Sequence, residues 1–321
     1  MSSLKSRLVA LFLKHSRKKA FASPENLKRW IAASRRTGSH EPPARFASRF
    51  EMHEHMLHGF PVYEVVPRQL ADSRRILYLH GGAYCFEITS YHWLLIGEMA
   101  ERLGMRTLVP IYPIAPEYDF NAMFGMVLQL YRDMLRETAA ENIIFMGDSA
   151  GGNMAVVMTM MAALEGLPSP GCHVLISPGV DMTLRNDEVR RMARQDPWLD
   201  IPGGLEAIRL YAPGMERSDW RISPLYGDLS VLPRTLLLTG TRDMLTPDNV
   251  IFAQKARAAG VEIDLVVAQD MFHVWPLVDM PEGRRARDRI VAYLRESGDA
   301  ARRALPQSLP VSRNSSNVAR I

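Results

Sequence analysis

With 321 residues, 47% of them hydrophobic, the chain is long enough for one large α/β domain with an attached cap. Its two cysteines, Cys85 and Cys172, offer neither a disulfide framework nor a metal spacing, which points to a reducing, cytoplasmic setting. The net charge of +4 comes from basic residues gathered near the two ends, with no nucleic-acid motif beside them, so no nucleic-acid partner is expected.

In chain order, residues 1–45 read as helical, with Ser23-Pro24-Glu25 as a helix start. Leu4, Leu8, Leu11 and Phe12 fall at helical spacing among Lys5, Arg7, Lys14, Arg17 and Lys18. Two readings follow: a basic helix in peripheral contact with an anionic membrane, or a helix lying across the mouth of a site as part of a cap. The cap is preferred. The apolar run Leu8 to Leu13 is too short for a signal peptide, and no segment approaches the roughly 20 apolar residues of a membrane span. Arg49 to His58 and Pro61 to Val66 read as strands joined by a turn at His58-Gly59. A strand there puts His53 and His55 on one face and His58 on the other, without a complete set of metal ligands, so no metal is expected.

Ile76-Leu77-Tyr78-Leu79 reads as a buried strand that runs into His80-Gly81-Gly82-Ala83-Tyr84. Adjacent glycines after a strand permit unusual dihedrals and let two N–H groups face one spot. From here strands and helices alternate, so the sheet should be mostly parallel. Asn142 to Met146 is a further strand, Gly147-Asp148-Ser149-Ala150-Gly151 a tight turn, and Gly152 to Leu164 a helix whose methionines fill the core. Strand, turn with a serine at its tip, then helix is the setting of a nucleophile elbow. An insertion at about 184–222, containing Pro197-Trp198 and a helical pattern from Gly204 to Tyr211, is read as the second part of the cap. The strand Thr235 to Thr239 ends at Gly240-Thr241-Arg242-Asp243, and the strand Val261 to Val267 leads to Phe272-His273-Val274-Trp275. Asp243 and His273 thus follow strand ends, the edge at which open α/β sheets build sites. Asp248 and Asp270 are rival acids, but Asp243 directly follows a strand and a glycine. Asp148 is read as stabilising its turn, and His80 as fixing the glycines by hydrogen bonds. The catalytic unit spans 46–296, and the tail 297–321 is expected to be disordered.

The order Ser149, Asp243, His273 is the nucleophile–acid–base order of α/β-hydrolases, and the reverse of the order in chymotrypsin-like proteases. On His80 to Tyr84, Gly147 to Asn153, Tyr112-Pro113-Ile114-Ala115-Pro116-Glu117, Ser223-Pro224-Leu225 with Asp228-Leu229, and Gly240 to Leu245 with Asp248, the chain resembles the hormone-sensitive-lipase-like branch of the α/β-hydrolase fold. That branch is a group of serine carboxylesterases. The resemblance implies a mostly parallel sheet flanked by helices, with a helical cap from the N-terminus and an insertion. It implies Ser149 as nucleophile, Asp243 as orienting acid and His273 as general base. Oxyanion donors would come from the N–H groups of Gly82, Ala83 and Ala150, with Gly81 shaping the loop. Two departures stand out: Ala83 replaces a third glycine, and Met244 replaces a proline. Tyr84, Cys85, Trp198 and Trp275 are candidate pocket residues, with Cys85 better read as a small space-filling hydrophobe. The implied activity is hydrolysis of carboxylic esters of short to medium acyl chain through an acyl-enzyme, without cofactor. Lactone, thioester or amide cleavage by the same residues, or a non-catalytic receptor on the same fold, are the alternatives. A small-molecule ester is the expected partner, and a homodimer through an edge strand or the cap stays open.

Overall fold

In the computed structural model, which describes residues 2–304, the apolar runs assemble into one eight-stranded sheet of order β1-β2-β4-β3-β5-β6-β7-β8. Four helices come first: α1 (Leu4–His15), α2 (Arg17–Phe21), α3 (Pro24–Thr37) and α4 (Ala44–Ala47). A hairpin follows, β1 (Glu51–Leu57) and β2 (Phe60–Val66), turning at His58 and Gly59 with φ of 52° and 85°. Then β3 (Arg75–Leu79), α5 (Ser90–Leu103), β4 (Arg106–Pro110), α6 (Phe120–Glu137), β5 (Ile143–Asp148), α7 (Ala150–Leu164) and β6 (Cys172–Ile176) alternate. The insertion carries α8 (Asp187–Ala193) and α9 (Ile201–Tyr211). The chain returns through β7 (Thr235–Gly240), α10 (Thr246–Ala258), β8 (Ile263–Ala268) and α11 (Pro281–Ala304). Pairings β1–β2 and β2–β4 are antiparallel and the rest are parallel. Helix α11 passes residue 297, where a disordered tail is expected to begin; residues 305–321 of that tail lie outside the described residues.

Helices cover both faces of the sheet, which is why β5, β6 and β7 are buried along their whole length and read as unbroken apolar runs. Alternate residues feed two cores. Leu77 and Leu79 face α6 and α7, among Phe124, Met154 and Val157, while Ile76 and Tyr78 face α5 and α11, among Trp93, Ile96 and Leu294. Edge strand β1 is largely exposed, and its His53 pairs with Glu51 at 3.0 Å. Among the described residues no cluster of His, Cys, Asp and Glu could hold a metal ion, and no helix is long and apolar enough to cross a membrane.

The N-terminal helices lie against the insertion. Lys18 Nζ donates to the carbonyls of Ala193 and Leu199, each at 2.5 Å, and Lys28 pairs with Glu206 at 3.2 Å. Where α2 meets α9, a Cβ on Gly203 would fall 2.4 Å from the Cα of Phe21, so only glycine lets the two backbones approach. Helix α9 starts at Ile201, three residues before the expected Gly204, because Asp200 caps it by accepting the Ile201 N–H at 2.9 Å. Arg35 of α3 donates to the carbonyls of Cys85 and Ala115 at 2.8 and 2.7 Å, tying these helices to the glycine loop after β3. Helix α1 buries Ala10 and Leu13 but leaves Leu4, Leu8, Leu11 and Phe12 exposed.

Candidate active site

The site is built where β3, β5, β7 and β8 end. At the tip of the β5–α7 turn Ser149 holds φ 52° and ψ −116°, a backbone that an L-residue keeps only when its surroundings enforce it. Two contacts enforce it here. Ser149 N–H donates to the Ile176 carbonyl at 2.8 Å, and α7 starts so close to β3 that a Cβ on Gly151 would fall 1.9 Å from the Leu79 oxygen. The serine side chain is thereby lifted off the sheet. His273 Nε2 lies 2.9 Å from Ser149 Oγ, and His273 Nδ1 lies 3.0 Å from Asp243 Oδ2. Asp243 and His273 are both buried. Burial on its own disfavours the imidazolium. The Asp243 charge and hydrogen bond, with Asp196 and Asp148 behind them, outweigh it and hold His273 above its ordinary value.

The glycine loop after β3 faces the same spot. Gly82 has φ 124°, and Ala83 and Tyr84 also lie in the left-handed region at 52° and 58°. Among the described residues the N–H groups of Gly82, Ala83 and Ala150 donate to no protein acceptor. Gly81 differs: its N–H goes to Asp148 Oδ1 at 3.0 Å, so it anchors the loop and is not free to receive an oxyanion. Asp148 also accepts the Tyr78 hydroxyl at 2.7 Å and faces His92 Nε2 at 3.4 Å. Burial raises the Asp148 pKa, yet the His92 charge and these hydrogen bonds outweigh it and hold the carboxyl below its ordinary value. His80 meets the Gly81 carbonyl through Nδ1 at 2.7 Å and stacks on Tyr112 at 4.3 Å. Burial, then the neighbouring His92, lowers the His80 pKa to about 4, so it stays neutral.

Of the four candidate pocket residues, two line the site and two do not. Tyr84 turns into a chamber beside Ser149, with its hydroxyl on Asn153 Oδ1 at 2.6 Å, and Trp198 sets its edge against His273 at 5.9 Å. Cys85 points into the core behind the loop, where burial pushes its thiol up to about 12. Trp275 packs in the opposite core with Phe272 and Ile290. The rival acids lie elsewhere: Asp248 is held by Asn186 at 2.7 Å, and the Asp270 N–H is turned to Thr241 Oγ1 at 2.8 Å.

One site residue escapes the sequence reading. Asp196, in the insertion, is fully buried beside Asp243 and His273. Its Oδ1 accepts the N–H groups of Trp198 and Leu199 at 2.7 and 3.0 Å, and its Oδ2 accepts the Met244 N–H at 2.8 Å. Burial, then the Asp243 charge, pushes its carboxyl up to about 6. The sequence signal at Asp196-Pro197 announces a turn and nothing more.

The arrangement suits acyl transfer, with a hydroxyl against an imidazole, a carboxylate behind it, and three N–H groups nearby that have no protein acceptor among the described residues. A family model for the alpha/beta hydrolase fold matches residues 76–277. The chain is 28% identical to an esterase of Acinetobacter venetianus, over 72% of this chain and 77% of that one. It is 30% identical to an acetyl-hydrolase of Streptomyces hygroscopicus, over 70% of this chain and 76% of that one. The solved structure of an esterase from the bacterial hormone-sensitive lipase family superimposes with a TM-score of 0.79 at 27% identity, over 92% of this chain and 99% of that one. The chain therefore belongs to the α/β-hydrolase fold family, among the hormone-sensitive-lipase-like esterases, and is a carboxylic ester hydrolase.

Proposed function

We propose that this ester hydrolase works through Ser149 as nucleophile, His273 as general base and Asp243 as orienting acid, on esters of short to medium acyl chain. The observation that carries the reading is the unbroken run from Asp243 Oδ2 through the imidazole to Ser149 Oγ, at 3.0 and 2.9 Å, beside the three free N–H groups. An Nδ1–H donated to Asp243 leaves Nε2 as acceptor for the serine hydroxyl. As Ser149 Oγ attacks the ester carbonyl, its proton passes to His273, and the oxyanion is received by Gly82, Ala83 and Ala150. Each such donor lowers the barrier by roughly 3 kcal/mol. His273 then protonates the departing alcohol, and water, deprotonated by the same imidazole, cleaves the acyl-enzyme. The N-terminal helices and the insertion serve as a cap that shapes the substrate space, a role supported by their mutual contacts and by their residues beside Ser149.

Ser149→Ala is the test. Assayed with p-nitrophenyl butyrate, it should lose on the order of a millionfold in kcat while keeping the circular dichroism spectrum of the parent. A fluorophosphonate probe should label the parent at Ser149 and leave the variant unmodified. Turnover within tenfold of the parent would reject Ser149 as nucleophile.

A further inference from the structure

Two spaces of very different size meet at Ser149. A chamber of about 80 Å³ is lined by Ala83, Ala150, Leu184, Ile208, Tyr211 and Met244. A groove of about 400 Å³ runs the other way, past Trp30, Trp198, Leu277 and Val278, to Leu8 and Phe12 of α1. One wall of the chamber is fixed by packing: Tyr84 and Tyr211 stack at 4.0 Å, both fully buried, so that wall has little room to yield. The groove is several times larger, and two of its apolar residues, Leu8 and Phe12, are 58% and 68% exposed.

Chemistry decides which part of an ester enters which space. When Ser149 Oγ bonds to the acyl carbon, the carbon–alkoxy bond breaks and the proton taken from Ser149 returns through His273 to the alkoxy oxygen. The alcohol side must therefore lie against His273 Nε2. His273 lines the groove and is absent from the chamber wall. Of the residues that carry the free N–H groups, Ala150 lines the chamber, Gly82 the groove and Ala83 both, so the oxyanion lies where the two spaces meet. With the oxyanion on those N–H groups and the alkoxy oxygen at His273, the acyl tail is left facing the chamber.

We infer that the enzyme takes esters of a small acyl group with a large, predominantly apolar alcohol, the acyl tail in the small chamber and the alcohol along the α1-lined groove. This rests on the Ser149–His273 reading above and names the substrate class for that site. The groove holds an extended alkyl or fused-ring alcohol, while the chamber has room for an acyl chain of only a few carbons. Arg17 and Glu87 at the groove wall allow an alcohol that carries a polar group part-way along its length.

Octyl acetate and ethyl octanoate test this directly, because they are isomers of equal composition with the long chain on opposite sides of the ester. The expected result is a kcat/KM for octyl acetate at least about tenfold above that for ethyl octanoate, the discrimination that mismatched methylenes in a small apolar pocket produce. Equal values, or preference for ethyl octanoate, would overturn the assignment of the two spaces. Ile208→Ala, which enlarges the chamber, should move the ratio of the two kcat/KM values toward ethyl octanoate by roughly tenfold, and an unmoved ratio would count against it. Failure of the nucleophile reading looks different: Ser149→Ala would then still cleave both isomers.

Discussion

The floor and the roof of the site are held by different kinds of force. The floor consists of the loops that leave β3, β5, β7 and β8, and it is specified by backbone geometry and short hydrogen bonds. Ser149 is strained into place, His273 is held between Asp243 and the serine, and Gly81 is tied to Asp148. The roof consists of α1 to α3 with α8 and α9, joined by apolar contact and a few lysine ties, and it leaves Leu8 and Phe12 in solvent. Bond-making requires donors and acceptors placed to a fraction of an ångström, and a sheet buried on both faces supplies such a frame. Choosing among substrates needs area and shape, and apolar helices at the surface supply them at little constraint. Changes to the floor should therefore appear in kcat, and changes to the roof in KM and in substrate preference.

The sharpest break is expected at Asp243. Asparagine keeps the size of the side chain but turns an N–H donor or a weaker acceptor toward His273 Nδ1, which favours the wrong tautomer. Asp243→Asn should lower kcat about 10⁴-fold with KM within a fewfold of the parent. Steady-state kinetics on p-nitrophenyl butyrate would show it. A loss below tenfold would mean that another carboxylate supports the imidazole, and Asp196, whose charge acts on His273, is the candidate.

Asp196 is the residue that crosses the boundary. It belongs to the insertion, yet it grips the Met244 N–H directly after Asp243 and shapes the turn that sets Trp198 against His273. In Asp196→Asn three N–H donors meet one oxygen and one amide, and one negative charge that supports the imidazolium disappears. A loss of about tenfold to a hundredfold in kcat/KM is expected from the displaced loop. The pH profile separates position from charge. Neutral His273 is the active form, and its value lies above the ordinary 6.5, so the acid limb of kcat/KM in the parent should fall above that pH. The stability contribution runs the opposite way: the charged His273–Asp243 pair stabilises the fold fully below the unfolded value and ceases to do so as pH rises through the folded one. Asp196→Asn should move the acid limb downward, because a carboxyl that titrates near 6 is mostly ionised at the pH of that limb and its charge is then lost. An unmoved limb would make Asp196 a mechanical tie alone.

Sequence and structure agree most where the physics is local. Parallel strands such as Ile143 to Met146 must be continuous apolar runs, and the small residues around Ser149 leave few alternatives to a tight turn, so the sheet and the strand-end positions of Ser149, Asp243 and His273 could be read directly. The elements of the roof are legible as a helical cap and an insertion, but the contacts that join them are not, because they are not local. Lys18 meets the Ala193 carbonyl across 175 positions, and no pattern near either residue announces it. Tyr84 turns toward the serine and Cys85, one residue on, turns into the core, in keeping with its reading as a small space-filling hydrophobe, whereas Trp275 packs in the opposite core away from the site. Asp196 was missed because burial, which makes a carboxylate consequential, cannot be seen in an Asp-Pro turn.

The smallest expected effect lies at Ala83, which belongs to the floor by its backbone and to the roof by its methyl. Its φ of 52° is a conformation that glycine adopts without penalty and alanine does not, and its side chain lines both the chamber and the groove. Ala83→Gly relieves backbone strain of roughly 1–2 kcal/mol. It also returns about 0.5–1 kcal/mol of freedom to the unfolded chain, so a net gain of up to about 1 kcal/mol remains. That corresponds to a rise in Tm of a few degrees at most, about 2–4 °C per kcal/mol for a domain of this order of size. Loss of the methyl should also widen the chamber, raising kcat/KM for a p-nitrophenyl octanoate over the acetate by about tenfold or less. The two readouts are independent. Thermal denaturation reports the backbone, and the chain-length series reports the wall. A higher Tm with an unchanged chain-length profile would place the methyl outside the acyl path and leave the chamber to be bounded by the roof residues alone.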